Sequence, residues 1–335
     1  MSRIPTRLAL SVPHSLALPT AGVDISSGSV KCMQFSVDGG RLAVGSYAQM
    51  PLSEGVVVDG DIEKEDAVID VLRTLRHKHR VRYAVASLSE RKAYLYQIVV
   101  PNDQKDLRGA VEFDLEAHVP LPPHETLFDY EVVRRTPTGT IVAVTAFAKR
   151  LIDTYERVFA ASGVTLRGLE VESHALVRAA LSEKDASRVL MIVDMGKRST
   201  RIAVSDHGAV SYTATVDFGG DMLTQALQKR FNLEVGPAEE MKNARGFLFG
   251  EGNTDVGEAV AGSSSVLRDE LVRHLSYWNN PSAGDVPREP VERLVVVGGN
   301  ANMLGLPEYL SGALYLPVVV ADVWQNVFSL DEYIP

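Results

Sequence analysis

Apolar and polar residues alternate through the first part of the chain in a pattern that predicts strands. The stretches "TAGVDI", "SVKCMQFSV" and "RLAVGSYAQ" follow one another, and a turn is predicted at Asp38-Gly39-Gly40. Alternation places one face of each strand in a core, and glycine supplies the positive φ that a tight turn requires. The pattern therefore predicts consecutive strands that pair through a hairpin.

The second half of the chain repeats this order. The run "VLMIVDM" predicts a buried strand, and "STRIAVSDHGAVSYTATV" predicts two strands around a turn at His207-Gly208. A helix is predicted after the strands in each half, with Asp61 as the N-cap in the first half and Asp221 in the second. The repeated order predicts a duplicated α/β fold.

One short polar pattern occurs at the first strand of each half. It consists of an Asp, a Ser five residues later and a cation two residues after that: Asp24, Ser29 and Lys31, then Asp194, Ser199 and Arg201. A hairpin with Gly and Ser offers N–H groups and hydroxyls to phosphate oxygens, and a Lys adds positive charge. An Asp at a strand end suits Mg²⁺, which takes few carboxylates. If the two halves face each other, the paired motifs would bind one ligand across a cleft.

A third element is the glycine pair Gly298-Gly299, which follows the apolar run "RLVVV". Paired glycines allow the backbone to approach a flat ring or a sugar closely. Each of the three elements alone is common in ordinary turns. Their order along the chain and the matching spacing of the first two favour a nucleotide site.

Composition narrows the classes of protein. A chain of 335 residues suggests about two domains. The net charge of −9 disfavours nucleic acid and an anionic membrane surface as partners. The single cysteine, Cys32, excludes an internal disulfide and fits a reducing cytoplasm. The basic run "RTLRHKHR" is interpreted as the solvated end of the first helix rather than as a nucleic-acid patch.

The three elements resemble the two phosphate motifs and the adenosine motif of the actin-like ATPase superfamily. Within it, the chain resembles the PilM family of type IV pilus assembly, from about residue 21 to about residue 328. The stretches "GVVVDGDI", "VESHALVRAAL", "DFGGDMLTQAL" and "AEEMKNARG" also match the family's pattern. The resemblance implies a duplicated actin-like (ribonuclease H-like) fold, with two domains around a nucleotide cleft.

The resemblance also implies roles for particular residues. Asp24 and Asp194 would face Mg²⁺. The residues implied to contact ATP or ADP are Ser27, Gly28, Ser29 and Lys31 in the first phosphate motif, Gly196, Ser199 and Thr200 in the second, Gly220 near the phosphates, Glu239 and Lys242 near the ribose, and Gly298, Gly299 and Asn302 near the nucleoside.

Some residues depart from the family's pattern. Ser26 stands where the family usually has Gly, and Lys197 and Arg198 stand where small residues are common. No residue clearly supplies the polar group that positions an attacking water, and Glu170 and Glu172 are the nearest candidates. No catalytic residue is therefore assigned, and the expectation is nucleotide binding with slow hydrolysis or none.

Acidic and histidine residues cluster in the stretch "VEFDLEAHVPLPPHE" and raise the question of a metal site. The stripe of Leu107, Val111 and Leu115 predicts an amphipathic helix that leaves Glu112 and Glu116 on a solvated face. This arrangement disfavours a metal site.

By the resemblance, a segment from about residue 98 to about residue 165 is the subdomain that PilM and the division protein FtsA insert into the first domain. In PilM, the groove beside it receives the short N-terminal tail of the membrane protein PilN. The resemblance thus implies a PilN-like partner, and a cytoplasmic protein that is peripheral to the inner membrane through that partner. A plain structural insertion is the alternative, and self-association is left open.

The predicted organisation is an N-terminal extension (1–20), a first domain (21–180) and a second domain (181–335) with a smaller subdomain at about 222–285. The expected function is an ATP-binding adaptor of a type IV pilus or related secretion assembly. Three alternatives remain: a nucleotide-free pseudo-ATPase scaffold, an FtsA-like division protein and a kinase on the same fold.

Overall fold

The structure is a computed structural model that describes residues 19–38, 41–250, 252–282 and 286–327. Packing divides the chain into two units, Met1–Ser89 with Lys149–Glu170 and Glu90–Ala148 with Val171–Pro335. The glycines of the first predicted turn and nearly all of the predicted N-terminal extension lie outside the described residues. The domain boundaries given above remain predictions.

The described residues form fifteen strands, numbered in chain order. The first eight are β1 Thr20–Ile25, β2 Ser29–Asp38, β3 Arg41–Pro51, β4 Val57–Val58, β5 Asp61–Ile62, β6 Tyr83–Leu88, β7 Ala93–Val100 and β8 Thr126–Thr136. The others are β9 Gly139–Ala148, β10 Thr165–Val171, β11 Val189–Met195, β12 Thr200–Asp206, β13 Ala209–Val216, β14 Arg293–Val297 and β15 Val318–Val320.

The same residues form nine α-helices. They are α1 Glu65–Lys78, α2 Leu107–His118, α3 Lys149–Ser162, α4 Glu172–Ala180, α5 Gly220–Phe231, α6 Val235–Arg245, α7 Thr254–Ser263, α8 Ser265–Asn279 and α9 Leu306–Leu314.

The first unit contains a five-stranded sheet in the order β10-β6-β1-β2-β3. Its central strand, β1, pairs antiparallel with β2 and parallel with β6. Ala21, Val23 and Ile25 of β1 are buried, as the alternating pattern predicts. Beside the sheet, α1 and α3 pack against each other and are joined by an ion pair between Glu65 and Arg157.

The first helix begins later than the sequence pattern predicts. Asp61 lies in β5, where it pairs with Val58, so it does not cap the helix. α1 begins at Glu65, and no side chain caps its first turn. Its apolar residues Val68, Leu72 and Leu75 are buried, and Val71 is half-buried.

The second unit contains a five-stranded sheet in the order β13-β12-β11-β14-β15. Its central strand, β11, is buried at every position and pairs antiparallel with β12 and parallel with β14. In both sheets the first strand in sequence is central, and the next two strands extend the sheet to one side of it. The duplicated α/β fold predicted from the sequence is therefore confirmed.

Helices pack on both faces of this second sheet, which explains why β11 is buried throughout and apolar at every position except Asp194. On one face, α8 shares a core with Met191 and Val193 and buries Leu267, Leu271, Leu275 and Trp278. On the other face, α4 packs Val177 in a cluster with Leu190 and Ile192. Successive side chains of the strand thus enter two different cores.

Three strands of the inserted segment form a separate antiparallel sheet in the order β7-β9-β8. On one face, Val142 of β9 packs with Val111 of α2. On the opposite face, Ile141 and Ala143 pack with Ala209 of β13. By this packing, the three-stranded sheet shares a core with β13 of the second sheet.

An ion pair also joins the three-stranded sheet to the second sheet. Arg134 of β8 donates from Nη1 to Oδ2 of Asp206 and from Nη2 to the carbonyl of Pro287, both at 2.6 Å. Oδ1 of Asp206 is 2.6 Å from Nδ1 of His207. The Asp206 side chain is completely buried, so its negative charge depends on these neighbours.

The acidic face of α2 follows the sequence prediction. Glu112 and Glu116 are exposed. His118 lies at the helix end, where its Nε2 is 3.0 Å from a carboxylate oxygen of Asp114 and its ring stacks on Tyr96. Across the described ranges, no three His, Cys, Asp or Glu side chains are grouped so that they could hold a metal ion.

Candidate functional site

The first predicted phosphate motif is the turn between β1 and β2. The backbone N–H and the hydroxyl of Ser26 both donate to the carbonyl of Ser29 at 3.0 Å, which closes the turn. Ser27 and Gly28 are exposed at the tip, whereas Ser29 is buried. The polar groups of the tip are therefore open to a ligand.

Asp24 and Lys31 lie directly opposite each other across this hairpin. Oδ1 of Asp24 accepts a hydrogen bond from the hydroxyl of Ser87 at 3.0 Å, and Nζ of Lys31 is 3.8 Å from Oδ2. The Asp24 side chain is 38% exposed. A single accessible carboxylate with room for water is a donor set that Mg²⁺ accepts, so Asp24 fits a hydrated metal ion.

The second predicted phosphate motif, between β11 and β12, has the same register. Asp194 lies directly opposite Arg201, as Asp24 lies opposite Lys31. The spacing seen in the sequence is thus a cross-strand pair in both hairpins. The contacts differ, however, because Nε and Nη2 of Arg201 donate to Oδ2 of Asp194 at 3.0 and 2.5 Å. The Asp194 side chain is only 11% exposed.

Three of the predicted glycines pack closely around this second turn. A Cβ at Gly220 would lie 2.5 Å from Oδ1 of Asn300, and one at Gly196 would lie 2.8 Å from a carbonyl oxygen of the turn. Gly298 has a φ of +92°, and a Cβ there would collide with the Asp194 carboxylate. The amide of Asn300 donates to two carbonyls of the turn at 3.2 and 2.8 Å and fixes the arrangement.

Two other predicted nucleotide-contact residues of the second unit, Thr200 and Lys242, make hydrogen bonds within the protein. The hydroxyl of buried Thr200 donates to the carbonyl of Phe218 at 2.8 Å. Lys242 is also buried, and its Nζ is 3.2 Å from Oγ1 of Thr224 and 3.5 Å from the carbonyl oxygen of Gly220. Burial lowers the pKa of Lys242, although nearby Glu239 opposes this effect.

The remaining predicted residues of this unit are more accessible. Ser199 is half-buried, and the exposed ones are Glu239, Gly298, Gly299 and Asn302. A Cβ at Gly299 would meet no atom within 4 Å. A ligand could reach these accessible residues from the solvent, whereas Thr200 and Lys242 are buried and support the fold.

The two motifs belong to different units. In the first unit, the structure brings Asp24 and Lys31 together beside the exposed turn. In the second, it brings Gly196, Gly220 and Gly298 together around one turn. The cleft between the two motifs remains a prediction.

A group of buried charges lies beside the second motif. Nη1 of Arg201 donates to Oε2 of Glu172 at 2.5 Å, so one guanidinium bridges Glu172 and Asp194. Burial alone would lower the pKa of Arg201, but the two carboxylates outweigh it and raise the pKa. Burial also raises the pKa of nearby Glu90 to about 8, with the Glu172 and Asp194 charges adding to the effect and Arg201 opposing it.

The replacement Glu90→Gln is expected to flatten the pH dependence of stability. The pKa of Glu90 in the folded protein, about 8, lies above the ordinary value of 4.5, so the folded state holds this proton more tightly than the unfolded state. Its stabilising contribution is complete below pH 4.5 and is lost as the pH rises from there to about 8. One such proton gives a slope of at most about 1.4 kcal/mol per pH unit.

This slope can be measured by urea denaturation between pH 5 and 8. Fluorescence follows the second unit, because it contains both tryptophans, Trp278 and Trp324. The exposed Glu183→Gln variant is the matched control and should keep the wild-type slope. Equal slopes in wild type and Glu90→Gln would contradict the prediction.

Sequence reasoning missed several residues of the site. Asn300 directly follows the glycine pair, so the tripeptide "GGN" was an available signal. Ser87 bonds to Asp24, and Glu90 lies near Arg201. Both are far in sequence from these partners, and no local pattern distinguishes them. Glu172 was considered only for orienting water, yet it bonds to Arg201.

Solved structures identify the class to which this geometry belongs. The "PilM-PilN type IV pilus biogenesis complex" is similar with a TM-score of 0.70, at 23% identity, over 92% of this chain and 90% of that one. MreB5 of Spiroplasma citri bound to AMPPNP is similar with a TM-score of 0.57, at 13% identity, over 91% of this chain and 92% of that one. The protein therefore has the actin-like ATPase fold.

Sequence comparison then identifies the family. The family described as "Type IV pilus assembly protein PilM" matches residues 22–332. The chain belongs to this family, and the resemblance stated above is confirmed. The cell division protein FtsA of Neisseria meningitidis serogroup B is 23% identical over 248 residues, or 66% of this chain. The alignment spans 56% of that FtsA, little more than half of its length.

Among the described residues, no helix combines the length and the apolar composition that a membrane-spanning helix requires.

Proposed function

We propose that this protein is a nucleotide-binding, actin-like adaptor of a type IV pilus assembly platform. One observation carries the nucleotide part: the two sheets have the same strand order, and each presents an Asp–cation pair at the same register beside a polar turn. Such turns offer N–H groups and hydroxyls to phosphates, and a duplicated pair suits a ligand with several phosphates.

The proposed ligand is ATP or ADP with Mg²⁺. Support comes from the MreB5 relative, which was solved with AMPPNP, and from an MreB5 structure with ADP. In this chain, Lys31 and the tip of the first turn would bind phosphate, Asp24 would hold the hydrated metal, and Gly299 would allow the nucleoside to approach. When bound, Mg²⁺ would neutralise phosphate charge.

Hydrolysis is proposed to be slow or absent. Glu172 is one of the two candidates for positioning an attacking water, but its Oε2 accepts a hydrogen bond from Arg201 at 2.5 Å. A carboxylate held by a guanidinium is a weak acceptor for the proton of an attacking water, because the ion pair favours the fully charged state. The adaptor would then respond to the binding of nucleotide more than to its hydrolysis.

Calorimetric titration with ATP and Mg²⁺ tests the nucleotide part. Wild type is expected to bind, and Lys31→Ala is expected to weaken binding by about tenfold or more, because a charged hydrogen bond to phosphate is lost. Lys184→Ala removes an exposed lysine of the second unit and should leave the affinity unchanged. A folded wild type that binds no ATP would contradict the proposal.

That negative result would favour a second candidate function, a nucleotide-free scaffold. Two observations support this alternative: Thr200 and Lys242 make internal contacts, and Arg201 already engages Asp194. A scaffold would keep the fold and its partner surface without the ligand.

The proposed partner is the N-terminal cytoplasmic tail of a PilN-like inner-membrane protein. The PilM–PilN relative supports this choice. The inserted sheet with α2 is the proposed docking surface, because Phe113 of α2 is 90% exposed there and an exposed aromatic side chain is a typical interface anchor. Through this tail the protein would be cytoplasmic and peripheral to the inner membrane.

A further inference from the structure

The Asp194 carboxylate is already engaged on both sides. Its Oδ2 accepts two hydrogen bonds from Arg201, at 3.0 and 2.5 Å. The engagement of Oδ1 is close packing rather than a bond, since a Cβ at Gly298 would collide with it. The side chain is 11% exposed, which leaves little space for the water shell that Mg²⁺ retains.

The guanidinium that holds Asp194 is itself fixed by a second carboxylate. Glu172 accepts from Nη1 of Arg201 at 2.5 Å and is only 14% exposed. Moving Arg201 away from Asp194 would therefore break two charge-assisted bonds and leave Asp194 without its cation. Asp24 differs, because it is 38% exposed and its cation, Lys31, is 3.8 Å away.

We propose that Arg201 is a fixed cation that takes the place of a metal ion at Asp194, so that a divalent cation accompanying the nucleotide is held through Asp24 and not through Asp194. The family-implied metal thus fits the first motif of this chain but does not fit the second. The part of this proposal that concerns the nucleotide and its metal ion rests on the proposed function. The part that Arg201 occupies the place of a metal ion at Asp194 does not.

Magnesium dependence separates the two aspartates. ATP affinity is measured by calorimetry with Mg²⁺ and with EDTA for wild type, Asp24→Asn and Asp194→Asn, with melting curves to verify folding. Asp24→Asn is expected to reduce the ratio of the two affinities by about tenfold, the loss of one charge-assisted metal contact. Asp194→Asn should leave this ratio within about twofold of wild type, since its charge faces Arg201. An equal reduction in both variants would overturn the proposal.

A crystallographic measurement on the wild-type protein does not depend on whether the two variants fold. Crystals are grown with MnCl₂ and AMPPNP, and anomalous scattering locates Mn²⁺. With AMPPNP bound, Mn²⁺ beside Asp24 and Arg201 still bonded to Asp194 would support the proposal, whereas AMPPNP without Mn²⁺ beside Asp24 would count against it. Mn²⁺ coordinated by Asp194 with Arg201 displaced overturns it. Absence of AMPPNP would count against the proposed function alone, because the position of Arg201 would still be read from the same map.

Discussion

Replacing Arg134 with methionine is expected to lower the free energy of unfolding of the second unit by about 4 kcal/mol. The reason is that Asp206 is completely buried and would lose its guanidinium partner. Removing one partner of a buried ion pair typically costs about 3–5 kcal/mol. The change should also loosen the inserted sheet, because the lost bonds join β8 to Asp206 and to Pro287.

The measurement is urea denaturation followed by tryptophan fluorescence. Arg135→Met is the matched control, since Arg135 is the next residue of the same strand and is exposed. It should change stability by less than about 0.5 kcal/mol. If Arg134→Met and Arg135→Met behave alike, the Arg134–Asp206 pair does not hold the inserted sheet to the second sheet.

Replacing Arg201 with methionine is expected to destabilise the second unit by about 3 kcal/mol. Asp194 and Glu172, which are 11% and 14% exposed, would both lose their shared cation and would repel each other. The estimate is lower than for Arg134 because the Arg201 side chain is 36% exposed, and solvent screens part of the interaction.

Arg198→Met is the control for this second variant. Arg198 belongs to the same hairpin and is exposed, so its replacement should change stability by less than about 0.5 kcal/mol. Denaturation is measured at pH 7 and followed by the same two tryptophans. A loss of stability in Arg201→Met no larger than that of the control would mean that Asp194 and Glu172 do not depend on Arg201.

The local parts of the site could be predicted because hairpin geometry links spacing to contact. An Asp and a cation seven residues apart, with a turn between them, lie opposite each other in an antiparallel pair, as Asp24–Lys31 and Asp194–Arg201 do. The buried strand β11 could also be predicted, because a short continuous apolar run is typical of a strand that is covered on both faces.

Two predicted helix N-caps show where prediction from the local sequence fails. Asp61 is a good N-cap residue by type, but tertiary structure uses it in the β4–β5 pair. Asp221 lies in the first turn of α5, whose N-cap is Gly219. Glycine is required there because a Cβ would collide with the backbone of the second turn. Both choices depend on contacts that the local sequence does not contain.

The buried charges were beyond sequence reasoning for a similar reason. The second unit begins at Glu90 and resumes at Val171, so the chain brings both Glu90 and Glu172 close to Arg201. Nothing in the spacing of these residues indicates that they meet. The difference between the two motifs, an accessible Asp24 and an engaged Asp194, therefore follows from the fold and not from the repeated pattern.

The proposed adaptor function is tested by the affinity of the full chain for the tail of a PilN-like membrane protein. A labelled peptide with the N-terminal cytoplasmic sequence of the PilN-like protein from the same organism is titrated with the protein, with and without ATP and Mg²⁺. Saturable binding is expected, and ATP should change the affinity by at least about fivefold, as is typical of coupled sites. Phe113→Ala should weaken it by about tenfold or more, and exposed Glu116→Ala should not. No saturable binding under either condition would contradict the central claim.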